Sequence, residues 1–416
     1  MSQKNCFIGQ SGGPTVAINA SLAGVVAQCK KEGYEHIYGM INGIKGLLED
    51  HYIDLGELFK DEESIENLKA TPAMNLGSCR VKLPTINLAE GTYEKLFKKF
   101  EDMHITDVFY IGGNDSMDTV AKLSTYAKTV NSSIRFIGIP KTIDNDLMGT
   151  DHTPGFGSAA KYVASSMLEI FYDSAIYKLN AVTIVEIMGR NAGWLTAASA
   201  LARENGATVP DLIYLPEVPF DTEKFLEDIR EKFKEKSSII IAVSEGIKDA
   251  DGQYLDQDSK YTKKDAFGHV LHSGTGKVLE TIVYKEFRCK VRSIELNVLQ
   301  RCAMHIASKT DIEESFEIGQ FAVTSALNNE TGIMIVSKRE SDMPYKVHYE
   351  TMDVLKVANL EHKIPVEWIN DAHNDITPAL HDYLYPLIQG EMAIKYTNGI
   401  PTYLDITHLK NNIVKE

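Results

Sequence analysis

No window of this 416-residue chain approaches the apolar length that a membrane span requires, and its first ten residues, MSQKNCFIGQ, carry neither the basic start nor the apolar run of a signal peptide. The expected compartment is therefore the cytoplasm, with no membrane partner. Cysteine is sparse: Cys6, Cys29, Cys79, Cys289 and Cys302 are odd in number and lack CxxC spacing, which argues against a disulfide framework or a zinc site and for reduced thiols. Basic charge is also short. Lys and Arg total 43 against 58 Asp and Glu, and a formal charge of −15 argues against a nucleic-acid or acidic-membrane surface. Neither GxGxxG nor GxxxxGK[ST] follows the first apolar run, and there is no low-complexity tract or short-period repeat. The composition, 44% hydrophobic and 24% charged, is that of an ordinary folded protein, and the length predicts about two or three domains.

What recurs is a strand, a glycine turn and a helix. The most informative copy is FIGIPKTIDNDLMGTDHTPGFGS, residues 136–158. An apolar run ends at Pro140, and Lys141, Thr142, Asp144 and Asp146 follow at once. In an open α/β sheet, side chains leaving the carboxyl end of a strand project into the crevice where ligands bind. An isolated TIDND would read as a polar surface turn, but the other strand ends bring complementary groups. Cys6–Ile8 opens a strand that runs into GQSGGPTVAINA, whose glycines let a phosphate approach backbone N–H groups or let the helix pack closely. His36–Met40 is a second expected strand; NLGSCR turns on glycine and ends in Arg80; Glu94–Met103 is a helix. In TDVFYIGGNDS, Asp115 or Ser116 caps the following helix, or else the pair Asn114 and Asp115 faces the crevice and offers oxygen ligands suited to Mg²⁺.

Further along, Tyr162–Tyr177 is an expected helix, and NAVTIVEIMGRNAGW is another strand and turn, carrying Met188, Gly189 and Arg190. A strand lies within Pro210–Pro219, and Thr222–Lys236 is an amphipathic helix. SIIIAVSEG is a buried strand ending in Glu245, Asp249–Phe267 is a polar surface insertion, and KVRSIELNVLQR leads to Arg301. Gly332–Val336 is the last expected strand, with helices and turns after it.

SGGPTVAINA, IGGNDS, PKTIDND, MGRNAGW, VSEG and LQR, in this order from the first strand to about Lys309, resemble the phosphofructokinase family. Each piece is modest alone; six in sequence order are specific. The resemblance implies an α/β fold of two Rossmann-like doubly wound domains with the active site in the cleft between them. The larger domain would comprise residues 1–155 and about 310–360 and bind the donor phosphates, and the smaller one, 156–309 and about 361–416, would bind the sugar phosphate. It also implies phosphoryl transfer to the 1-hydroxyl of fructose 6-phosphate with Mg²⁺, in a homodimer or homotetramer, because one arginine of the 6-phosphate site usually comes from a neighbouring subunit.

Carried over by motif, Asp144 matches the proton acceptor, Thr142 positions the same sugar end, and Asp146 lies near metal and acceptor. Gly12 and Gly13 match the donor-phosphate cradle, and Arg80 matches an arginine on the transferred group. Met188, Gly189, Arg190, Glu245 and Arg301 match the sugar-phosphate ligands. ATP-using members carry glycine at the positions held here by Asp115 and Lys141. A carboxylate where the α-phosphate would lie adds bulk and like-charge repulsion, and Lys141 adds positive charge near the transferred group. Both resemble the pyrophosphate-dependent branch, whose reaction runs readily both ways. The alternatives are an ATP-dependent 6-phosphofructokinase and a non-catalytic regulatory subunit of the same fold. NAD kinase also uses a Gly-Gly-acidic turn but has no reason to carry PKTIDND with MGR.

This chain departs from the pattern in several places. GGNDS stands for GGDDS: Asn114 offers an oxygen but no charge, so the Mg²⁺ site leans on Asp115, Asp146 and pyrophosphate itself. Pro14 removes one N–H from the first loop. Ala181 and Val298 replace usual sugar-site residues, so the 6-phosphate is expected to draw on Lys309 or other bases. A looser sugar pocket would admit sedoheptulose 7-phosphate, an expectation that negligible turnover on that sugar would remove.

Overall fold

The computed structural model describes residues 4–88, 91–176, 178–255, 263–264, 270–271, 274–358 and 360–410. Two sheets carry the molecule. The larger has seven strands, and its parallel centre is built from β1 (Asn5–Gln10), β2 (His36–Met40), β4 (Ile105–Gly112) and β5 (Arg135–Pro140), with β3 (Tyr52–Asp54) antiparallel on the β2 edge. Ile333–Asp342 joins beside β5 in parallel, and Tyr345–Asp353 closes that edge as an antiparallel hairpin. Side chains alternate across the sheet as period-2 strands demand. Cys6 and Ile8 face one buried core, and Phe7 faces the other. The helices Ile18–Lys31 and Lys309–Leu327 cover the first face; Thr92–Asp102 and Asn114–Thr129 cover the second.

The smaller sheet is fully parallel, in the order Lys290–Glu295, β6 (Ala181–Ile187), β8 (Ser238–Ser244), β7 (Leu212–Tyr214). Along β8, Ile239, Ile241 and Val243 enter one core while Ile240 and Ala242 enter the other, so both faces of this strand are buried. Each sheet reverses its strand order at one strand: β1 has β2 and β4 on its two sides, and β6 has β8 and Lys290–Glu295. Crevices open at such switch points, outside the carboxyl ends. They are where the glycine turns of the sequence fall.

The hairpin 333–353 replaces the helices and turns expected after Val336. Tyr345–Asp353 alternates half-buried with exposed positions over most of its length, the period of an edge strand, while Met334–Ser337 beside it is buried throughout. The C-terminal stretch also departs from the expected division. Ile364, Leu380, Tyr383 and Leu387 pack with the smaller sheet, but Leu404 and Leu409 pack on the larger domain, where Leu404 N–H donates to Thr71 Oγ1 at 3.1 Å. The chain thus crosses between the two bodies around residues 140–156, 304–312, 357–364 and 388–404. All five cysteines are free thiols. Residues 256–262 and 265–267 of the expected polar insertion lie outside the described residues.

Candidate active site

The carboxyl ends of β1, β4, β5, β6 and β8 converge on one cavity of about 800 Å³. Gly12, Gly13, Arg80, Asn114, Asp115, Lys141, Thr142, Asp144, Asp146, Met188, Arg190, Glu245 and Arg301 all line it, and Gly189 lies within its Met188–Arg190 turn. The motifs separated by up to about 290 residues of chain are therefore one site.

At the larger-domain end, β1 runs into Gly12, whose φ of +82° is a left-handed conformation that side chains rarely adopt. Its N–H donates to Cys79 O at 3.1 Å, and Ser78 Oγ donates to Gly12 O at 2.6 Å. Gly12 is thus tied to the loop that carries Arg80, and Gly13 follows it on the cavity wall. Thr15 Oγ1 accepts from Ala17 and Ile18 N–H at 3.2 and 3.0 Å, tying the turn after Pro14 to the start of the following helix. Lys141 is buried, and its Nζ donates to Gly13 O at 2.7 Å. Burial, with Arg301 and Arg80 nearby, pushes its ammonium down to about 8 against the pull of Asp144 and Asp146. Asp115, in the first turn of the helix after β4, pairs with Lys82 Nζ at 2.9 Å. Asn114 Oδ1 is buried with no hydrogen-bond partner among the described residues.

The loop after β5 is held from behind. Asn145, between the two aspartates, adopts φ +55° and is buried; its Nδ2 donates to Tyr383 Oη at 2.9 Å, and its Oδ1 accepts from Thr153 N–H at 3.0 Å. With the amide pointing inward, Asp144 and Asp146 line the cavity on either side of it. Asp144 N–H donates to Thr142 Oγ1 at 3.1 Å. Burial raises the Asp144 carboxyl, against the stabilising charges of Arg190, Lys141 and Arg301. Asp146 is pushed up to about 7 by burial, by Asp144 and by Glu361. Behind the loop, His152 is buried between Asp151 at 2.8 Å and Glu314 at 2.6 Å, and Arg339 pairs with Asp151 at 2.9 Å. Burial alone would lower His152; Glu314 and Asp151 overcome it and raise the imidazolium to about 10.

At the smaller-domain end, Ser244 Oγ donates to Gly189 O at 2.5 Å, and Met188 N–H donates to Gln300 Oε1 at 3.3 Å. Gly246 lies so close beneath this turn that a side-chain carbon there would sit 1.8 Å from Arg190 O, so only glycine lets the two backbones meet. Glu245 Oε1 accepts from Gly189 N–H at 3.4 Å, and burial, followed by Asp144, pushes its carboxyl up to about 8. Arg301 reaches further than its motif implied: a side-chain carbon on Gly13 would be 3.0 Å from its Nη1, so the guanidinium spans the cleft to the first loop.

Lys82 and Glu361 line the cavity but lie outside the motifs, and Asn191 lines it from within MGRNAGW without having been singled out. Lys82 was legible as a second cation two residues after Arg80; Glu361 had no local mark. Lys309 does not reach this cavity. It lies instead in a separate pocket of about 420 Å³ with Lys69 and Lys395. Five basic side chains (Arg80, Lys82, Lys141, Arg190, Arg301) and five acidic ones (Asp115, Asp144, Asp146, Glu245, Glu361) share the cavity wall.

Residues 5–302 match the phosphofructokinase family model. The chain is 39% identical, over 96% of its length and 96% of the relative's, to a Halomonas elongata protein named pyrophosphate–fructose 6-phosphate 1-phosphotransferase. It is 37% identical, over 98% of its length and 97% of the relative's, to the Methylococcus capsulatus protein of the same name. The crystal structure of the pyrophosphate-dependent phosphofructokinase of Marinobacter aquaeolei superposes with a TM-score of 0.84 at 36% identity, covering 96% of this chain and 95% of that one.

Proposed function

The chain belongs to the phosphofructokinase family, and from that membership we propose that it moves a phosphoryl group from pyrophosphate to the 1-hydroxyl of D-fructose 6-phosphate, giving fructose 1,6-bisphosphate and orthophosphate. Pyrophosphate and orthophosphate are comparable in energy, so the reaction runs in both directions. The observation that carries the choice of donor is the furnishing of the larger-domain end. Lys141 Nζ sits on the Gly13 carbonyl, and the Asp115–Lys82 pair stands at the first turn of the helix after β4. That arrangement supplies cations for two phosphates and sets a carboxylate against a third.

The larger domain serves the donor and the smaller one the sugar phosphate. Phosphoryl transfer calls for positioning and charge neutralisation more than covalent chemistry. Asp144 takes the proton of the sugar 1-hydroxyl as the bond to phosphorus forms. Its burial makes it a stronger base than an exposed aspartate, and Arg190, Lys141 and Arg301 keep the ionised form accessible. Thr142 holds the same end of the sugar. Lys141, Arg80 and the Gly13 N–H receive the donor oxygens, and Arg301, lying against Gly13, faces donor and sugar alike. The Met188–Arg190 turn and Glu245 hold the sugar phosphate and its hydroxyls.

Mg²⁺ fits the donor set. Asn114 presents a buried oxygen without a partner, Asp146 adds a carboxylate, and Asp115 is engaged with Lys82. Mg²⁺ commonly keeps several waters and takes phosphate oxygens besides one or two protein ligands. When bound it supplies positive charge to the phosphoryl oxygens.

The working unit is a homo-oligomer. Lys290–Glu295 is an edge strand of the smaller sheet, its Arg292 pairs with Asp173 at 3.6 Å beside Leu179, and Tyr172, Ile176 and Leu179 are exposed, a surface that another copy would cover. No described helix is long and apolar enough to cross a membrane, and free thiols favour the cytoplasm.

The test is fructose 1,6-bisphosphate formation with Mg²⁺, comparing pyrophosphate and ATP over a concentration series. A large preference for pyrophosphate, abolished by Asp144→Ala, is expected. Activity with ATP alone would overturn the donor assignment.

A further inference from the structure

One carboxylate in the cleft has no part in the chemistry above. Glu361 comes from the third crossing between the two bodies. Its backbone forms an antiparallel bridge with Leu147, and His362 N–H donates to Asp146 O at 2.7 Å. Trp194 Nε1 donates to His362 O at 3.0 Å, with the two rings 4.9 Å apart. The segment is therefore tied both to the catalytic loop and to the helix that follows the sugar turn.

The Glu361 side chain is aimed by a single contact. Asn191 Nδ2 donates to its Oε1 at 2.7 Å, and Oε2 has no partner among the described residues while the residue lines the cavity. Glu245 grips the same turn one residue before Arg190, through the Gly189 N–H, and Glu361 grips it one residue after, through Asn191. Two carboxylates thus bracket the turn. A ketose phosphate offers several hydroxyl donors along its ring, and Glu245 has room for only some of them.

Resting on the reading of this cleft as a sugar-phosphate site, we infer that Glu361 is a specificity-determining residue whose free oxygen accepts a ring hydroxyl of the bound ketose phosphate. A hydroxyl donating to a carboxylate makes a strong, directional bond, and a site built around such a bond rejects an epimer that points the hydroxyl elsewhere. The neighbouring Leu360, half exposed and lining the same cavity, gives that edge an apolar wall that a misdirected hydroxyl would meet.

The experiment uses the full chain with saturating pyrophosphate and Mg²⁺. It compares wild type, Glu361→Ala, Glu361→Gln and Asn191→Ala on fructose 6-phosphate, on its C4 epimer tagatose 6-phosphate and on its C3 epimer psicose 6-phosphate. Glu361→Ala is expected to raise the fructose 6-phosphate KM about tenfold or more while kcat and the pyrophosphate KM hold within about twofold. Discrimination against one epimer should fall, which names the hydroxyl. Glu361→Gln, whose amide oxygen still accepts, should recover part of the loss, and Asn191→Ala should weaken sugar binding with the carboxylate retained. A fall in kcat with unchanged KM and unchanged epimer selectivity would overturn the inference and leave Glu361 as a tie between segments. Should Glu361→Ala fail to fold, the Gln and Asn191 variants decide by the same readouts. Wild-type protein inert toward fructose 6-phosphate and pyrophosphate would remove the underlying reading; an active wild type beside an unchanged Glu361→Ala would remove this inference alone.

Discussion

Replacing Asp115 and Lys141 together by glycine should convert the donor end from one that admits two phosphates to one that admits three. Asp115 is paired with Lys82 at 2.9 Å and lines the cavity, so a third phosphate entering there would meet a carboxylate. Two unit charges about 4 Å apart interact by roughly 4 kcal/mol at an effective dielectric of about 20, and Lys82 offsets part of that. Relief of this repulsion should raise kcat/KM for ATP by between about tenfold and a thousandfold. Lys141 acts in the opposite sense. Loss of a hydrogen bond from a charged group to the donor costs about 1.5–3 kcal/mol, or roughly ten- to a hundredfold in kcat/KM for pyrophosphate. The ATP-to-pyrophosphate ratio should therefore shift by at least about a hundredfold in the double variant. Steady-state kinetics with both donors, coupled to fructose 1,6-bisphosphate detection, reads it directly. Asp115→Asn, which keeps the bulk and removes the charge, separates the two causes. An unchanged ratio in a double variant that melts like the parent would refute the reasoning.

Asp144→Asn should lower kcat by about 10²–10⁴-fold with the fructose 6-phosphate KM changed only severalfold, and a fall below tenfold would deny Asp144 the role of base. The kcat/KM profile of the free enzyme should be bell-shaped. Activity rises as Asp146 and Glu245, near about 7 and about 8, ionise, and falls as Lys141, near about 8, loses its proton. Lys141→Arg should flatten the alkaline limb, and a profile level from pH 6 to pH 9 in the parent would contradict it. His152→Asn should destabilise the fold by about 3–5 kcal/mol in urea unfolding at pH 6, because Asp151 and Glu314 lose the cation between them. The His152 pKa is raised in the fold, so its contribution is complete below about 6.5 and is lost as pH rises through about 10. The gap between parent and variant should narrow over that range, and equal midpoints at pH 6 would remove the argument.

Strand ends were readable because strand, glycine turn and helix are local patterns; Thr222–Glu235 and His36–Met40 match their expected bounds almost residue for residue. The residues placed on those turns entered one cavity because a parallel sheet sends all its carboxyl ends to one side. Contacts made across the chain left no such trace. Nothing near Gly12 announces that its N–H goes to Cys79, and nothing near Asn145 announces Tyr383, 238 residues away. Glu361 follows a hairpin whose strand period was missed, so its segment had no predicted neighbour. Lys309 was nominated for its charge alone, and its position in the first turn of the return helix, on the other pocket, could only be seen in three dimensions.

The four crossings between the two bodies bear on how the cleft can move. Domains joined by one linker can swing in any direction, but rigid bodies joined at several separated points keep only the motion whose axis passes near all of them. The crossing at 140–156 is itself the loop bearing Asp144 and Asp146, and the crossing at 357–364 is hydrogen-bonded to it through His362 and Asp146. Two of the four joints thus meet at the loop bearing Asp144 and Asp146, so that loop has the least freedom to shift relative to either body.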